Sequence, residues 1–155
     1  MAKGDFTLFN SFAQNIADKV HDIKDTNVLK LGLITDAITP TADYGNPYWT
    51  SYLGEEEVTG AGYGYASGGH VLTWDAATRW ALVSGVGTLD ADDITFAQNA
   101  SGFTDARWGI LYDDTATSDP AIGFLDLGGD VSQVTGAVTI AWSASGILTI
   151  TVNPA

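Results

Sequence analysis

The chain has no cysteine among its 155 residues. Disulfides and thiolate metal sites are therefore excluded, while the compartment stays open, because secreted proteins need not carry cysteine. Positive charge is scarce: six Lys and Arg stand against nineteen Asp and Glu, a net of −13. Such a chain repels phosphate backbones and anionic membranes, so neither nucleic acid nor membrane is an expected partner. The acidity serves solubility through self-repulsion, or it matches a basic partner surface. No apolar run approaches the ~20 residues needed to cross a bilayer. The opening MAKGDFTLFN holds one Lys, then an Asp, with no uninterrupted apolar stretch and no A-x-A site, so no signal peptide is expected there. No internal repeat or linker composition interrupts the chain. One domain over residues 1–155 is expected, large enough to bury a core and, at 45% hydrophobic residues, not disordered.

The stretch around which the rest can be arranged is DARWGILYDDTATSDPAIGFLDLG, residues 105–128. Trp108, Ile110 and Tyr112 alternate with Gly109 and Leu111, the period of a strand. Residues 121–127 read the same way, with Ile122 and Phe124 assigned to one face and Leu125 and Leu127 to the other. Both faces of both runs are apolar, which places the pair centrally in a sheet covered on two sides. Between them, residues 113–120 are rich in Asp, Thr, Ser and Pro and predict a hairpin with a long tip.

Phe9, Phe12, Ile16, Val20 and Ile23 recur every three or four residues. This predicts one amphipathic helix over residues 7–23, capped by Asp5 or Thr7. Strands are predicted at 28–35, 70–74, 78–84, 92–97, 137–142 and 146–152, the last two joined by a tight hairpin at 143–145. Together with the central pair this makes about eight short strands. The expected fold is mainly β, an antiparallel, jelly-roll-like β-sandwich over residues 28–152 with the single helix packed on it. The expected core includes Phe12, Ile16, Val20, Leu31, Leu33, Val71, Ile94, Trp108, Ile110, Phe124, Ile140 and Ile150.

Chemistry-bearing patterns are few. His21 and His70 have no nucleophile elbow to serve. TGAGYGYASGG, residues 59–69, is glycine-rich but leads into a strand, so it lacks the helix N-terminus that a phosphate loop needs and reads as a glycine-bent turn. Glu55–Glu57 reads as a solvated acidic face. Asp90, Asp92 and Asp93, like Asp113, Asp114 and Asp119, offer oxygens to Ca²⁺ without the EF-hand spacing, and turn-forming aspartates explain them equally well. No catalytic residue, cofactor or metal is assigned. The stronger signal is aromatic. Residues 36–52 have no period, and loops beyond ~12–15 residues are usually functional or mobile. Tyr44, Tyr48, Trp49 and Tyr52 crowd this loop, and Tyr63 and Tyr65 follow it. Tyr and Trp dominate interfaces and sugar-stacking sites, so Tyr44, Tyr48, Trp49 and Tyr52 are the candidate protein-interface residues. The competing expectation is a loop pinned to its own core, with Trp49 as a plug.

The helix ending in VHDIKDTN and running into VLKLGLIT resembles the opening of a group of small tailed-bacteriophage virion proteins. GAGYGYASGG, the run from DDITFAQNA through ARWGILYDDTATSDPAIGFLDLGG, and the closing GILTITV are similar to later segments of that group in the same order. Tyr112, Asp114, Thr115, Asp119 and Pro120 carry the most specific part of the likeness. The resemblance implies a non-enzymatic head decoration, or cement, protein. It would be made in the host bacterial cytoplasm and held on the exterior of the phage head. There it would clamp neighbouring copies of the major capsid protein and associate with itself, as a trimer or another homo-oligomer. A tail-associated, receptor-binding or carbohydrate-binding virion module is the alternative.

Overall fold

A computed structural model describes residues 4–50, 53–60, 62–74 and 79–152. In chain order its elements are β1 (Phe6–Leu8), α1 (Ser11–Ala17), β2 (Leu29–Ile34), a 3₁₀ turn (Leu53–Glu56), β3 (His70–Val71), β4 (Trp80–Val83), β5 (Val86–Leu89), β6 (Ile94–Phe96), β7 (Ala106–Asp113), β8 (Ala121–Val131), β9 (Val138–Ile140) and β10 (Leu148–Thr151). Among the described residues the fold is mainly antiparallel β with one α-helix. A five-stranded sheet runs β1-β8-β7-β2-β3, a three-stranded sheet β10-β5-β4, and β6 pairs with β9.

The predicted central pair sits where its two apolar faces require, with β7 in the middle of the large sheet and β8 beside it. On one face Leu29, Leu31, Leu33, Leu111, Leu125 and Leu127 pack against residues of the two small sheets, including Leu89, Ile94, Phe96, Ile140 and Leu148. The other face carries Ile34, Trp108, Ile110, Tyr112, Ala121 and Phe124 and is covered by Phe9, Trp49 and Leu53. The long loop after β2 is thus the lid of that second face. Trp49 lies flat on the sheet, stacked on Tyr112 with 4.9 Å between ring centroids and 3° between planes. Gly32 makes the room: a Cβ there would fall 2.2 Å from the Trp49 ring.

One residue of β8 lies opposite to expectation. Ile122 belongs with Leu125 on the first face, while Phe124 stays on the second with Ala121. Leu111 pairs with Gly123 and Tyr112 with Ala121, so Ile122 is the extra residue of a β-bulge, and the bulge reverses the alternation.

The helix is shorter than its apolar period. Residues 6–8 pair with β8 on its outer edge, so Thr7 is in a strand and Asn10 takes the N-cap position. The helix ends at Ala17, and Lys19 adopts φ 58°, a left-handed conformation that turns the chain away. Seven residues do not hold a helix alone. Phe12 and Ile16 hold it by packing into the first core. The apolar residues of the predicted stripe are still mostly used, but across a strand, a helix and a loop.

All eight predicted strand regions contain a strand. β1 and β5 are additional, hidden because FTL and VGTL are too short to show a period. The predicted 143–145 hairpin does not form. β9 pairs with β6 and β10 with β5, so that turn passes between sheets. Of the expected core, Phe12, Leu31, Leu33, Ile94, Trp108, Ile110, Phe124 and Ile140 are buried, while Ile16 and Val20 are half-buried. Val71 and Ile150 are exposed. Val71 lies in a two-residue edge strand opposite Lys30, and Ile150 lies where the three-stranded sheet runs past the core.

Gly32→Ala should therefore destabilise the protein by ~1–3 kcal/mol, because the stacked Trp49 has little freedom to move away. Gly45→Ala, where a Cβ meets nothing within 4 Å, should stay within ~0.5 kcal/mol of the parent. Urea titration of the two variants checks this, and equal midpoints would remove Trp49 from the sheet face.

Candidate functional site

The functional candidates gather around the end of β7. Asp113 is fully buried there. Its Oδ2 accepts from His21 Nδ1 at 3.1 Å and from Asn27 Nδ2 at 2.6 Å. Its Oδ1 accepts from the Thr115 and Ala116 backbone N–H groups at 3.1 and 3.3 Å. Burial pushes the carboxyl upward. The hydrogen bonds from His21, Asn27 and Thr115, with the attraction of His21, outweigh it and leave the pKa below the ordinary value. The other imidazole nitrogen, Nε2, meets Asn15 Nδ2 at 3.3 Å, and the Phe12 ring stacks on the imidazole. The tautomer with its proton on Nδ1 fits both neighbours: it donates to the Asp113 carboxylate and accepts from Asn15 at Nε2. Both side chains of the His21–Asp113 pair are shut off from solvent. The pair resembles a base and its orienting acid, but no imidazole nitrogen is left for a substrate proton. It acts as a lock.

A buried cation closes the same segment. Arg79 donates to the carbonyls of Ile23, Asp25, Asp22 and Asn27, and its guanidinium lies 4.1 Å over the Trp74 ring. Burial lowers its pKa, while Asp22, Asp113 and Asp25 pull the other way. Residues 22–27, which have no regular structure, are thereby fixed from both sides.

The hairpin tip is tied equally firmly. Asp114 accepts from Lys30 Nζ at 2.8 Å, and Asp119 accepts from Thr50 Oγ1 at 2.6 Å. Ser118 and Asp119 both have positive φ, which suits a tight tip at some cost in backbone strain. Tyr112, beneath the tip, donates to the Gly68 carbonyl, and burial raises its pKa. Glu57 is not a solvated charge as expected. Its carboxylate accepts from Tyr65 Oη at 2.8 Å, Ser67 Oγ at 3.1 Å and the Gly68 N–H at 2.7 Å. The glycine-rich segment is bent as expected, with positive φ at Gly60, Gly62, Gly64, Gly68 and Gly69. Among the described residues, no group of three or more His, Asp or Glu side chains is placed to hold a metal ion.

The candidate interface aromatics separate. Trp49 is buried as the plug against Tyr112, so it is not on the surface of the monomer. Tyr44 is half-buried with its ring 6.4 Å from that of Phe9. Tyr48 is half-buried and bridges to Pro120 at the tip. Tyr52 lies outside the described residues. Of the following pair, Tyr65 is buried, its hydroxyl donating to Glu57 and accepting from the Leu33 N–H, while Tyr63 is exposed.

A different surface stands open. The β4–β5 tip and the end of β10 expose Leu82 (70%), Val83 (67%), Ile150 (39%) and Val152 (69%). Leu82 and Ile150 flank Gly87 on the inner face of the three-stranded sheet, continuing the row that Leu89 and Leu148 begin inside the core. Beside them a groove of about 450 Å³ runs between that sheet and α1, lined by Ile16, Ile23, Trp80 and Ile150 and by the polar residues Lys19, His21, Asp22 and Lys24. Alternation alone missed this surface. The signal was charge: residues 80–89 and 131–155 contain no charged side chain, in a chain with nineteen acids.

Comparison with family models, curated proteins and solved structures finds no match to this chain.

Asp113→Ala removes the acceptor of four donors, one of them the buried His21 side chain and one the part-buried Asn27 amide, and should cost about 3 kcal/mol or more at neutral pH. The sign of the pH dependence follows from the depressed folded-state pKa. The contribution of Asp113 is present above the unfolded carboxyl value, about 3.9, and is lost as pH falls through the lower folded value. Urea midpoints measured from neutral pH to strong acid should show that loss in the parent and not in Asp113→Ala.

Proposed function

We propose that this protein is a structural virion protein of a tailed bacteriophage, a decoration or cement protein that docks on the outer head and clamps neighbouring capsid subunits. The observation that carries this reading is the uncharged, apolar end of the three-stranded sheet on an otherwise strongly acidic domain. Exposed apolar side chains gathered at one end of a sheet, with no charged side chain in its strands there, mark an interaction site rather than ordinary surface. A net charge of −13 repels any acidic neighbour, including a second copy, everywhere except at a surface free of carboxylates. We read the large sheet and the two small ones, with their shared core, as the halves of a jelly-roll-like sandwich whose far end is the docking end. The likeness of residues 105–128 to small phage virion proteins supports the same class. The partners would be the major capsid protein and sister copies. A tail-associated or receptor-binding role is the second reading, favoured by the uncharged polar concavity beside Tyr48.

Leu82→Asp combined with Val83→Asp tests the docking end. Both side chains are largely exposed, so the fold should lose no more than ~0.5 kcal/mol per site. Binding to heads assembled without the protein, followed by co-sedimentation, should weaken by ~2 kcal/mol or more. Unchanged occupancy on the heads, with the double variant folded, would refute the assignment of this end.

A further inference from the structure

The concavity between α1 and the hairpin tip has a volume of about 440 Å³ and is built from neutral side chains only. That volume lies within the range of small-molecule sites. Asn15, Asn27, Tyr48, Thr115, Thr117 and Pro120 form its working wall. The two amides are oriented by the buried lock. Asn27 spends its Nδ2 on Asp113, and Asn15 spends its Nδ2 on His21. Each amide therefore keeps its carbonyl oxygen, an acceptor, with no protein partner among the described residues. Thr115 Oγ1 accepts from the Val28 N–H at 2.8 Å, which leaves its hydroxyl proton to donate. Thr117 adds a second hydroxyl, and Tyr48 with Pro120 adds an apolar side.

The chemistry of the occupant follows. Two fixed acceptors and two hydroxyls call for a ligand with several O–H groups of its own. The absence of any charged lining side chain disfavours an ionic ligand, since a charge placed there loses water without gaining a partner. Anions meet, in addition, the repulsion of the whole chain. An aromatic ring beside hydrogen-bonding groups suits the C–H face of a sugar. We propose that this concavity binds a neutral saccharide, one ring at a time, with Tyr48 as the stacking surface and Asn15 and Asn27 as acceptors. The site is built before any ligand arrives. Asp113 holds both the tip and Asn27, and Thr50 holds Asp119, so little ordering cost is left for binding.

Amide-resolved NMR of the full chain, titrated with glucose, galactose, mannose and N-acetylglucosamine, tests this, with glucuronate as the charged control. At least one neutral sugar should shift the side-chain amides of Asn15 and Asn27, and Tyr48→Ala should weaken it by about tenfold or more. Thr117→Val, at an exposed position, keeps the fold and should weaken the same sugar several-fold, which covers the case of an unfolded Tyr48 variant. A glycan end and a free sugar share this chemistry, and methyl glycosides separate them. Binding retained by the glycoside assigns the site to the terminal residue of a glycan, and binding lost assigns it to a free reducing sugar. No shift with any neutral sugar, shifts that neither variant changes, or equal binding of glucuronate would overturn the proposal.

Discussion

One carboxylate holds this molecule's irregular parts together. Asp113 ends the central strand, and its two oxygens collect donors from the turn after α1, from the approach to β2 and from the hairpin tip. The tip lies far in sequence from the other two segments, and those two have no regular structure of their own. A buried carboxylate satisfied by four donors costs little, whereas one left with fewer is expensive, so the three segments stand or fall as a unit. Arg79 repeats the device from the opposite side with four backbone carbonyls. The consequence for function is rigidity where a loop-rich surface would otherwise be soft.

The large sheet has a different logic on each face. One face meets the two small sheets and α1, and strand alternation supplies most of that core, with Tyr65 and Phe103 added from loops. The other has no sheet to meet, and the long loop after β2 closes it with Trp49 on Gly32 and Tyr112. The loop is long because it must cross a sheet, and it is aromatic because a few large rings replace a missing layer. That buries most of Trp49 and leaves Tyr48, at the margin of the loop, beside the neutral concavity.

The central pair, the positions of eight strand regions and the bend of residues 59–69 were legible because each depends on local pattern: alternation, or glycine where φ is positive. The parts that were not legible depend on distant partners. Residues 6–8 are strand only because the outer edge of β8 is free to take them. Ile122 changes face because of a bulge whose cause lies in the register with Leu111 and Tyr112. Glu57 reads as solvated until Tyr65, Ser67 and Gly68 are folded onto it. His21 had no recognisable partner in sequence because Asp113 lies ninety-two residues away. The exposed apolar end at Leu82, Val83 and Ile150 was visible as a want of charge, a signal that hydrophobic periodicity does not register.

These features describe a rigid, acidic β-domain with one neutral apolar end, the form expected of a part that docks on a larger assembly. A cryo-electron microscopy map of the intact phage particle tests that account most directly. It predicts this fold on the outer head surface, with Leu82, Val83 and Ile150 buried against capsid subunits or sister copies. Finding the fold confined to the tail, or on the head with that end facing solvent, would contradict it.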